Sequence, residues 1–397
     1  MSLLLDALFA IVAFGHLAVD ILNGQRAILL AYLSGVLGLS NTALSLVSTV
    51  YIAMGALSQP VFGHLADRWG PRWLVAGGTL WMGTFFSLAL FAPGYWSLAL
   101  LVIASLGSGA FHPAGTMQAN LRGRERFSGR ETTATAYFFL FGQMGGFFGP
   151  LIGGPLLGLY GPPGLIALVA PAMVIGASAA YRLPAKPTPS AARLAGKISL
   201  RRILRAGLSA SLLAFGLMTA FQSWAQQNMI TFVPKYLSDM GQPPGVYGLV
   251  SALFMAGVAV GNLAGGNLAD RFGKRRVAMW TLLAASAPLL AIPYVQEMAW
   301  LYLLIPLSGL LTGATHSIIV VLAQRRLPSG IALASGLVLG FMFTSGALGT
   351  LLSGYLADLR GLPVVFTLSG VLVLLAAGLA LTIKEQPAME KDLPQEN

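Results

Sequence analysis

The stretch Gly63-His64-Leu65-Ala66-Asp67-Arg68-Trp69-Gly70 returns 203 residues later as Gly266-Asn267-Leu268-Ala269-Asp270-Arg271-Phe272-Gly273. Each copy sets an acid and several bases at the end of a membrane-length apolar run, which is what a short charged turn between two spanning helices needs. Half of the chain repeats the other half. The expected architecture is therefore two similar helical bundles, the arrangement of a two-bundle transporter.

Composition fixes the solvent. Only 9% of the 397 residues are charged, 56% are hydrophobic and the mean hydropathy is +0.75, too little polar surface for a soluble chain of 41.6 kDa. Strands of a membrane barrel alternate apolar and polar over roughly 10 residues, whereas these runs are continuous over roughly 20 or more. The spans are expected to be helices. A net charge of +11 could point to nucleic acid, but the bases sit in alternate loops and form neither a soluble face nor a tail, so no nucleic-acid partner is expected. The chain has no Cys, which excludes disulfides, thiol nucleophiles and Cys-based metal sites. It starts with Asp6 ahead of an apolar run and lacks a basic leader, so the first span is expected to stay in the protein.

Apolar runs lie near residues 7–33, 43–66, 73–92, 96–120, 132–158 and 163–182, then near 207–237, 246–268, 277–296, 299–323, 332–357 and 362–383. This predicts an all-α polytopic membrane protein with twelve spans: an N-terminal six-helix bundle over 1–182, a basic linker over 183–206, a C-terminal six-helix bundle over 207–384 and a tail over 385–397. Of the 24 Lys and Arg residues, all but Arg26, Lys235 and Arg360 lie in the loops after even-numbered spans or beyond the terminal spans. Positive charge marks the cytoplasmic side, so both termini and the linker are expected there. The repeat extends inward as well. Gly109-Ala110-Phe111-His112 matches Gly313-Ala314-Thr315-His316, and Tyr32-Leu33-Ser34 matches Tyr236-Leu237-Ser238. A fainter copy, Gly354-Tyr355-Leu356-Ala357-Asp358, ends the eleventh span on the side opposite the charged turns, as an inverted three-helix unit would leave it.

With these residues the chain resembles the major facilitator superfamily over essentially its full length. Gly63, Leu65, Ala66, Asp67, Arg68, Gly70 and Arg72 match the superfamily's loop signature between the second and third spans. Gly266, Leu268, Ala269, Asp270, Arg271, Gly273, Lys274 and Arg275 repeat it, while one basic position of the first copy is Pro71. Gly145, Gly149, Pro150, Gly153 and Gly154 in the fifth span match the signature of proton-coupled drug antiporters. Such spacing lets helices touch backbone to backbone, and ordinary helix packing is the competing explanation for it. The run from Gly15 to Gly24, with Ala110-Phe111-His112-Pro113, is similar in pattern to the fosmidomycin resistance branch. Many drug antiporters carry an arginine four residues before a glycine of the fourth span; here that place is Ile103, so its proton chemistry does not transfer. The resemblance implies a cytoplasmic gate latched by Gly63, Asp67, Arg68, Arg72, Asp270, Arg271 and Arg275, and a monomer.

The polar residues inside spans are the candidate site. An ionised group at the bilayer centre costs roughly 3 kcal/mol or more, so it is retained where it meets a partner or a wet cavity. Asp20 is the one carboxylate well inside a span, and steps of four and three put His16, Asp20 and Asn23 on one helix face. Arg26 lies about 9 Å further along the axis. His112 precedes Pro113, which is expected to break the fourth helix, and His316 is its repeat counterpart without the proline. The seventh span carries Gln222, Trp224, Gln226, Gln227 and Asn228, with no charge near the Asp20 level. Asp20, His16 and His112 are the expected proton-coupling groups. Asp20, Asn23, Arg26, His112, Gln143, Trp224, Gln227, Asn228 and His316 are the expected substrate contacts.

These residues predict a secondary transporter that exports a small drug-like or phosphonate-like molecule in exchange for protons. The alternative is a symporter or facilitator for a metabolite anion, with Arg26 as the anion's partner. No GxxxxGK[ST] loop is present, so a gradient supplies the energy. No HExxH or cysteine constellation is present, and neither an enzyme activity nor a metal or cofactor is expected.

Overall fold

A computed structural model of the protein describes residues 3–126, 131–185, 210–295, 297–326 and 331–383. The linker beyond residue 185 and the tail from 385 lie outside them. The N-terminal half contains α1 (Ala7–Leu37), α2 (Asn41–Trp69), α3 (Pro71–Phe91), α4 (Tyr95–Arg126), α5 (Glu131–Tyr160) and α6 (Ile166–Arg182). The C-terminal half contains α7 (Ala210–Asp239), α8 (Pro244–Phe272), α9 (Lys274–Ala291), α10 (Met298–Gly313), α11 (His316–Arg326), α12 (Ile331–Arg360) and α13 (Pro363–Thr382). Short 3-10 turns precede α1 and α6 and follow α9. Among the described residues there is no strand.

Helix ends follow local chemistry. Asp6 caps α1 by accepting from the Phe9 amide at 2.9 Å, and Ser40 caps α2 by accepting from the Ala43 amide at 3.1 Å. Arg122 at the far end of α4 clasps the Asp6 carboxylate. Burial alone would raise the Asp6 carboxyl; the Arg122 guanidinium and the Phe9 amide outweigh it and hold the group below the ordinary carboxylate value. The duplicated turns close alike. Gly70 and Gly273 adopt φ of 86° and 92° and return their amides to Ala66 and Ala269, so each repeat ends its helix at a glycine that tolerates this backbone.

Among the described residues, ten helical segments are long and apolar enough to cross a membrane, with α10 and α11 counted as one span. α5 and α7 have the length, at 30 residues each, but glycines dilute α5 and the amides Gln222, Gln226, Gln227 and Asn228 dilute α7. Helices that line a polar interior need not be as apolar as those that face lipid only.

One expectation is corrected. α4 runs unbroken through Pro113, and the interruption falls instead in the tenth span, between Gly313 and His316. Side chains next to Pro113 bond back into the same helix: His112 Nδ1 donates to the Ser108 carbonyl at 2.8 Å and Thr116 donates to the His112 carbonyl at 2.8 Å. In the tenth span three glycines of α8, Gly257, Gly261 and Gly265, lie against the backbone of Pro306, Leu310 and Ala314. The groups freed by the break find partners: Gln222 donates to the Thr312 carbonyl at 3.2 Å, and Asn262 accepts from the Ser317 amide at 3.0 Å.

The two halves meet at the end of the molecule remote from the duplicated basic turns. Every hydrogen bond between halves among the described residues lies in that far part: Asn41 and Thr42 with Asp358, Ser48 with Thr231, and Thr49 with the Ala347 carbonyl. Glycines bring the backbones together there, Gly154 of α5 on Pro244 of α8 and Gly354 of α12 on Asn41 of α2. Core packing crosses the boundary in the same region, with Phe232 packed in the N-terminal core and Ile28 in the C-terminal one.

Candidate functional site

The site is assembled on α1 near mid-span and completed by α2, α4 and α5. Asp20 lies between two imidazoles, 3.2 Å from His16 Nε2 and 3.5 Å from His112 Nε2. Asn23 Nδ2 donates to Asp20 Oδ1 at 2.8 Å and to Ser108 Oγ at 3.1 Å, and Asn23 Oδ1 accepts from the Tyr51 hydroxyl at 2.7 Å. The Asp20 and His112 side chains keep 22% and 21% of their surface exposed, while His16 keeps 3%. The carboxylate therefore sits at a wet boundary with one dry histidine behind it.

Each imidazole has a fixed tautomer in its neutral form. His16 Nδ1 lies 2.7 Å from the Phe138 carbonyl and His112 Nδ1 lies 2.8 Å from the Ser108 carbonyl. A carbonyl only accepts, so both Nδ1 atoms carry hydrogen and both Nε2 atoms face Asp20. Without another proton, two nitrogen lone pairs would point at a carboxylate. The trio is stable with at least one exchangeable proton, held as an imidazolium beside a carboxylate or as a carboxylic acid donating to an imidazole. The ligand atoms of His16, Asp20 and His112 lie within 4.8 Å of one another, a spacing that also suits a small cation. The Asn23 amide hydrogen on Oδ1 would compete with a cation there and is compatible with proton exchange.

Glycines of α5 let this cluster form. A Cβ on Gly142 would lie 2.5 Å from His16 Nε2 and 2.8 Å from Asp20 Oδ2, and one on Gly145 would lie 2.6 Å from the Leu17 carbonyl. Gly149 meets the Ile21 carbonyl and Gly153 meets Ile28 and Gln25, whereas Gly154 faces α8 of the other half. A methyl group at Gly24 would lie 3.2 Å from Pro150 Cδ.

The remaining expected contacts are divided. Arg26 does not reach Asp20 through a bond; its guanidinium lies 4.8 Å above the Tyr51 ring. Gln227 donates to Thr231 Oγ1 at 3.2 Å, next to the seam between halves. Trp224 Nε1 donates to Ser353 Oγ of α12 at 2.8 Å. Asn228 turns away from the seam and donates to Ser369 of α13 at 3.0 Å. Gln143 and His316 are half-buried, and neither joins the Asp20 cluster. Sequence reasoning missed Tyr51, Ser108, the Phe138 carbonyl and Gly142. Gly142 stands three residues before the recognised Gly145 and continues that glycine series; the others carried no signal of their own.

At the duplicated turns, Asp270 pairs with Lys274 at 3.0 Å, not with Arg271, whose guanidinium lies 5.4 Å from the Phe272 ring. Asp67 and Arg68 form no ion pair among the described residues. Arg72 donates to the Leu183 carbonyl at 2.5 Å, and Gly63 lies over Pro113 of α4. Arg271 likewise forms no ion pair among the described residues. The charged residues of the two turns form no ion pair with the opposite half among the described residues.

Two six-span halves joined at one end, with a polar cluster inside the spans of the first, define a membrane transporter of the two-bundle type. The family model described as Major Facilitator Superfamily matches residues 10–243 and 215–397, and the chain belongs to that superfamily. It is similar to the fosmidomycin resistance protein of Escherichia coli (strain K12), 25% identical over 376 residues that cover 92% of this chain and 89% of that one. It is also similar to the gentisate transporter of Corynebacterium glutamicum, 25% identical over 351 residues, 85% of this chain and 77% of the relative. Among solved structures it superimposes on an inward-facing, occupied bacterial homologue of the human lysosomal transporter Spinster. The TM-score is 0.82 at 14% identity, over 98% of this chain and 100% of the other. The protein is a multi-pass membrane transporter of small molecules and not an enzyme.

Proposed function

We propose that this transporter exports a small drug-like or phosphonate-like molecule in exchange for protons, by alternating access between its two halves. The observation that carries the reading is the carboxylate of Asp20 between two Nε2 atoms whose partner nitrogens are committed to carbonyls. A proton entering this trio changes its net charge at the edge of the cavity, so substrate and proton compete for the same place. A membrane potential contributes about 2.3 kcal/mol per charge per 100 mV, enough to drive a modest concentration ratio.

In this reading the basic turns face the cytoplasm of a bacterial cell, both termini lie on that side, and the protein works as a monomer. The halves are closed at the far end, so the cavity faces the cytoplasm and is ready to load substrate. Asp67 and Asp270, with Arg68, Arg72, Arg271 and Arg275, close the cytoplasmic end in the other state by meeting helix N-termini of the opposite half. Asp67 lacks an ion pair here because that closure has not been made.

The test is a pH-gradient assay in proteoliposomes with an internal pH dye, fosmidomycin as the probe, and wild type compared with Asp20→Asn. Proton movement evoked by the probe in wild type, and reduced by about 100-fold in the variant, is the expected result for a group that carries the exchanged proton. Probe flux without proton movement, unchanged in Asp20→Asn, would sink the exchange reading and favour a facilitator.

A further inference from the structure

Arg26 is a guanidinium without a counter-ion. It is 5% exposed, its Nε is buried with no hydrogen-bond partner, and it forms no ion pair among the described residues. The nearby carboxylate is committed elsewhere, since Asp20 is engaged by His16, His112 and Asn23. What supports the cation is the face of the Tyr51 ring. A buried cation with an aromatic face and no anion is costly to maintain, so its retention within a span needs a use.

Its position supplies one. Ser48, one turn from Tyr51 on α2, touches Thr231 of α7 at 3.4 Å where the halves seal, and Gln227 donates to the same Thr231. Arg26 and Tyr51 thus stand next to that seal, on its side toward the basic turns. Across the seam α7 offers the amide of Gln227, tied to Ser48 through Thr231. A cation at the closed end, with the Tyr51 ring beside it and a neutral amide across the seam, fits a molecule with one acidic end and an apolar body.

A hydrogen-bond chain also leaves this place. Tyr51 carries Arg26 on its ring and donates its hydroxyl to Asn23, which donates in turn to Asp20. Resting on the exchange reading above, we propose that Arg26 binds the acidic group of the transported molecule, so that the substrates are organic anions with a single carboxylate, phosphonate or sulfonate. In the same proposal Tyr51 and Asn23 connect that site to Asp20. Drawing the guanidinium toward an anion changes its hold on Tyr51, and the change reaches the proton-bearing carboxylate through two hydrogen bonds.

The experiment uses the full chain in proteoliposomes, with phenylphosphonate and benzenesulfonate as anionic probes and benzyltrimethylammonium as a cation of similar size. Both anions are expected to be transported and to move protons, and the cation to do neither. Arg26→Gln is expected to lower anion transport by at least about tenfold, and Arg26→Lys to restore part of it, because a point charge lacks the two-pronged fit of guanidinium. Tyr51→Phe keeps the ring and removes the hydroxyl, and protons moved per anion transported are expected to fall.

Transport of the cation, no transport of either anion, or anion transport unchanged in both Arg26 variants overturns the site. An unchanged proton count in Tyr51→Phe overturns the connection. Arg26→Gln is judged only if it elutes as a folded monodisperse species; if it does not, Arg26→Lys with an unchanged anion preference and rate overturns the site alone. Anion flux without protons would remove the exchange reading and leave the anion site standing, whereas proton-coupled flux of the cation would do the reverse.

Discussion

α1 and α7 occupy repeat-related places, yet one carries the ionisable cluster and the other carries amides and an indole. At the offset of 204 that pairs Tyr32 with Tyr236 and His112 with His316, Asp20 corresponds to Trp224, Asn23 to Gln227 and Arg26 to Ile230. Both helices pack against a glycine-bearing partner, α1 on Gly145 and Gly149 of α5, and α7 on Gly346 and Gly349 of α12. The packing was kept and the chemistry diverged. Similar packing keeps the two halves alike in shape, while only one of them holds an ionisable cluster.

The break in the second half belongs to the same divergence. α4 keeps His112 on a continuous helix with its Nδ1 bonded within that helix, so its Nε2 is aimed at α1. His316 starts α11 after the interruption and is delivered elsewhere. Polar side chains from α7 and α8, Gln222 and Asn262, complete the broken backbone.

The comparison can be broken at several strengths. The largest effect expected in the N-terminal half, after loss of Asp20 itself, is that of removing one imidazole. His16→Gln or His112→Gln leaves the carboxylate one proton partner, and proton movement is expected to fall by about 10-fold to 100-fold in the same dye assay. His316→Gln, at the repeat-related place, is expected to stay within about twofold, since it touches no part of the cluster. Equal losses from His112→Gln and His316→Gln would remove the functional asymmetry between the halves.

Glycine substitution probes what the halves share. Gly142→Ala sets a methyl group against His16 and Asp20, and Gly349→Ala sets one against the Trp224 ring. Each is expected to cost about 1–3 kcal/mol as overpacking, read as a lower melting temperature in detergent. Only Gly142→Ala is expected to alter proton coupling in material that remains folded.

The smallest effect concerns the far end, where the halves close differently. Asp358 accepts from the Asn41 amide at 2.7 Å, from the Thr42 amide at 2.8 Å and from the Thr42 hydroxyl at 2.5 Å. A carboxylate thus sits on the N-terminus of α2. At the offset of 200 that pairs Gly154 with Gly354, the corresponding residue of α5 is Gly158, which has no side chain to offer. An exposed charge at a helix N-terminus is worth about 0.3–1 kcal/mol, so Asp358→Asn is expected to raise opening of this end by up to about fivefold. The chain has no native cysteine, so thiol labelling of Ser48→Cys, at a residue buried in the seal, reads that opening directly. An unchanged labelling rate in Asp358→Asn would show that the glycine contacts hold the seal without it.

The sequence by itself determined the twofold helical architecture, because apolar length, alternate basic loops and a duplicated turn are one-dimensional signals that a membrane forces into one reading. It also placed His16, Asp20 and Asn23 on one face of α1, because helical spacing is local. It could not show that His112 of α4 closes on Asp20, that Tyr51 of α2 carries Arg26, or that Asn228 points away from the seam. Those depend on the rotation of each helix about its axis, which is set by packing against neighbours. The Pro113 expectation failed for a related reason: a proline removes one backbone hydrogen bond, and the remaining bonds and packing of α4 carry the helix through it. Tertiary structure decided the site because its polar groups come from four helices that meet only where glycines let the backbones approach.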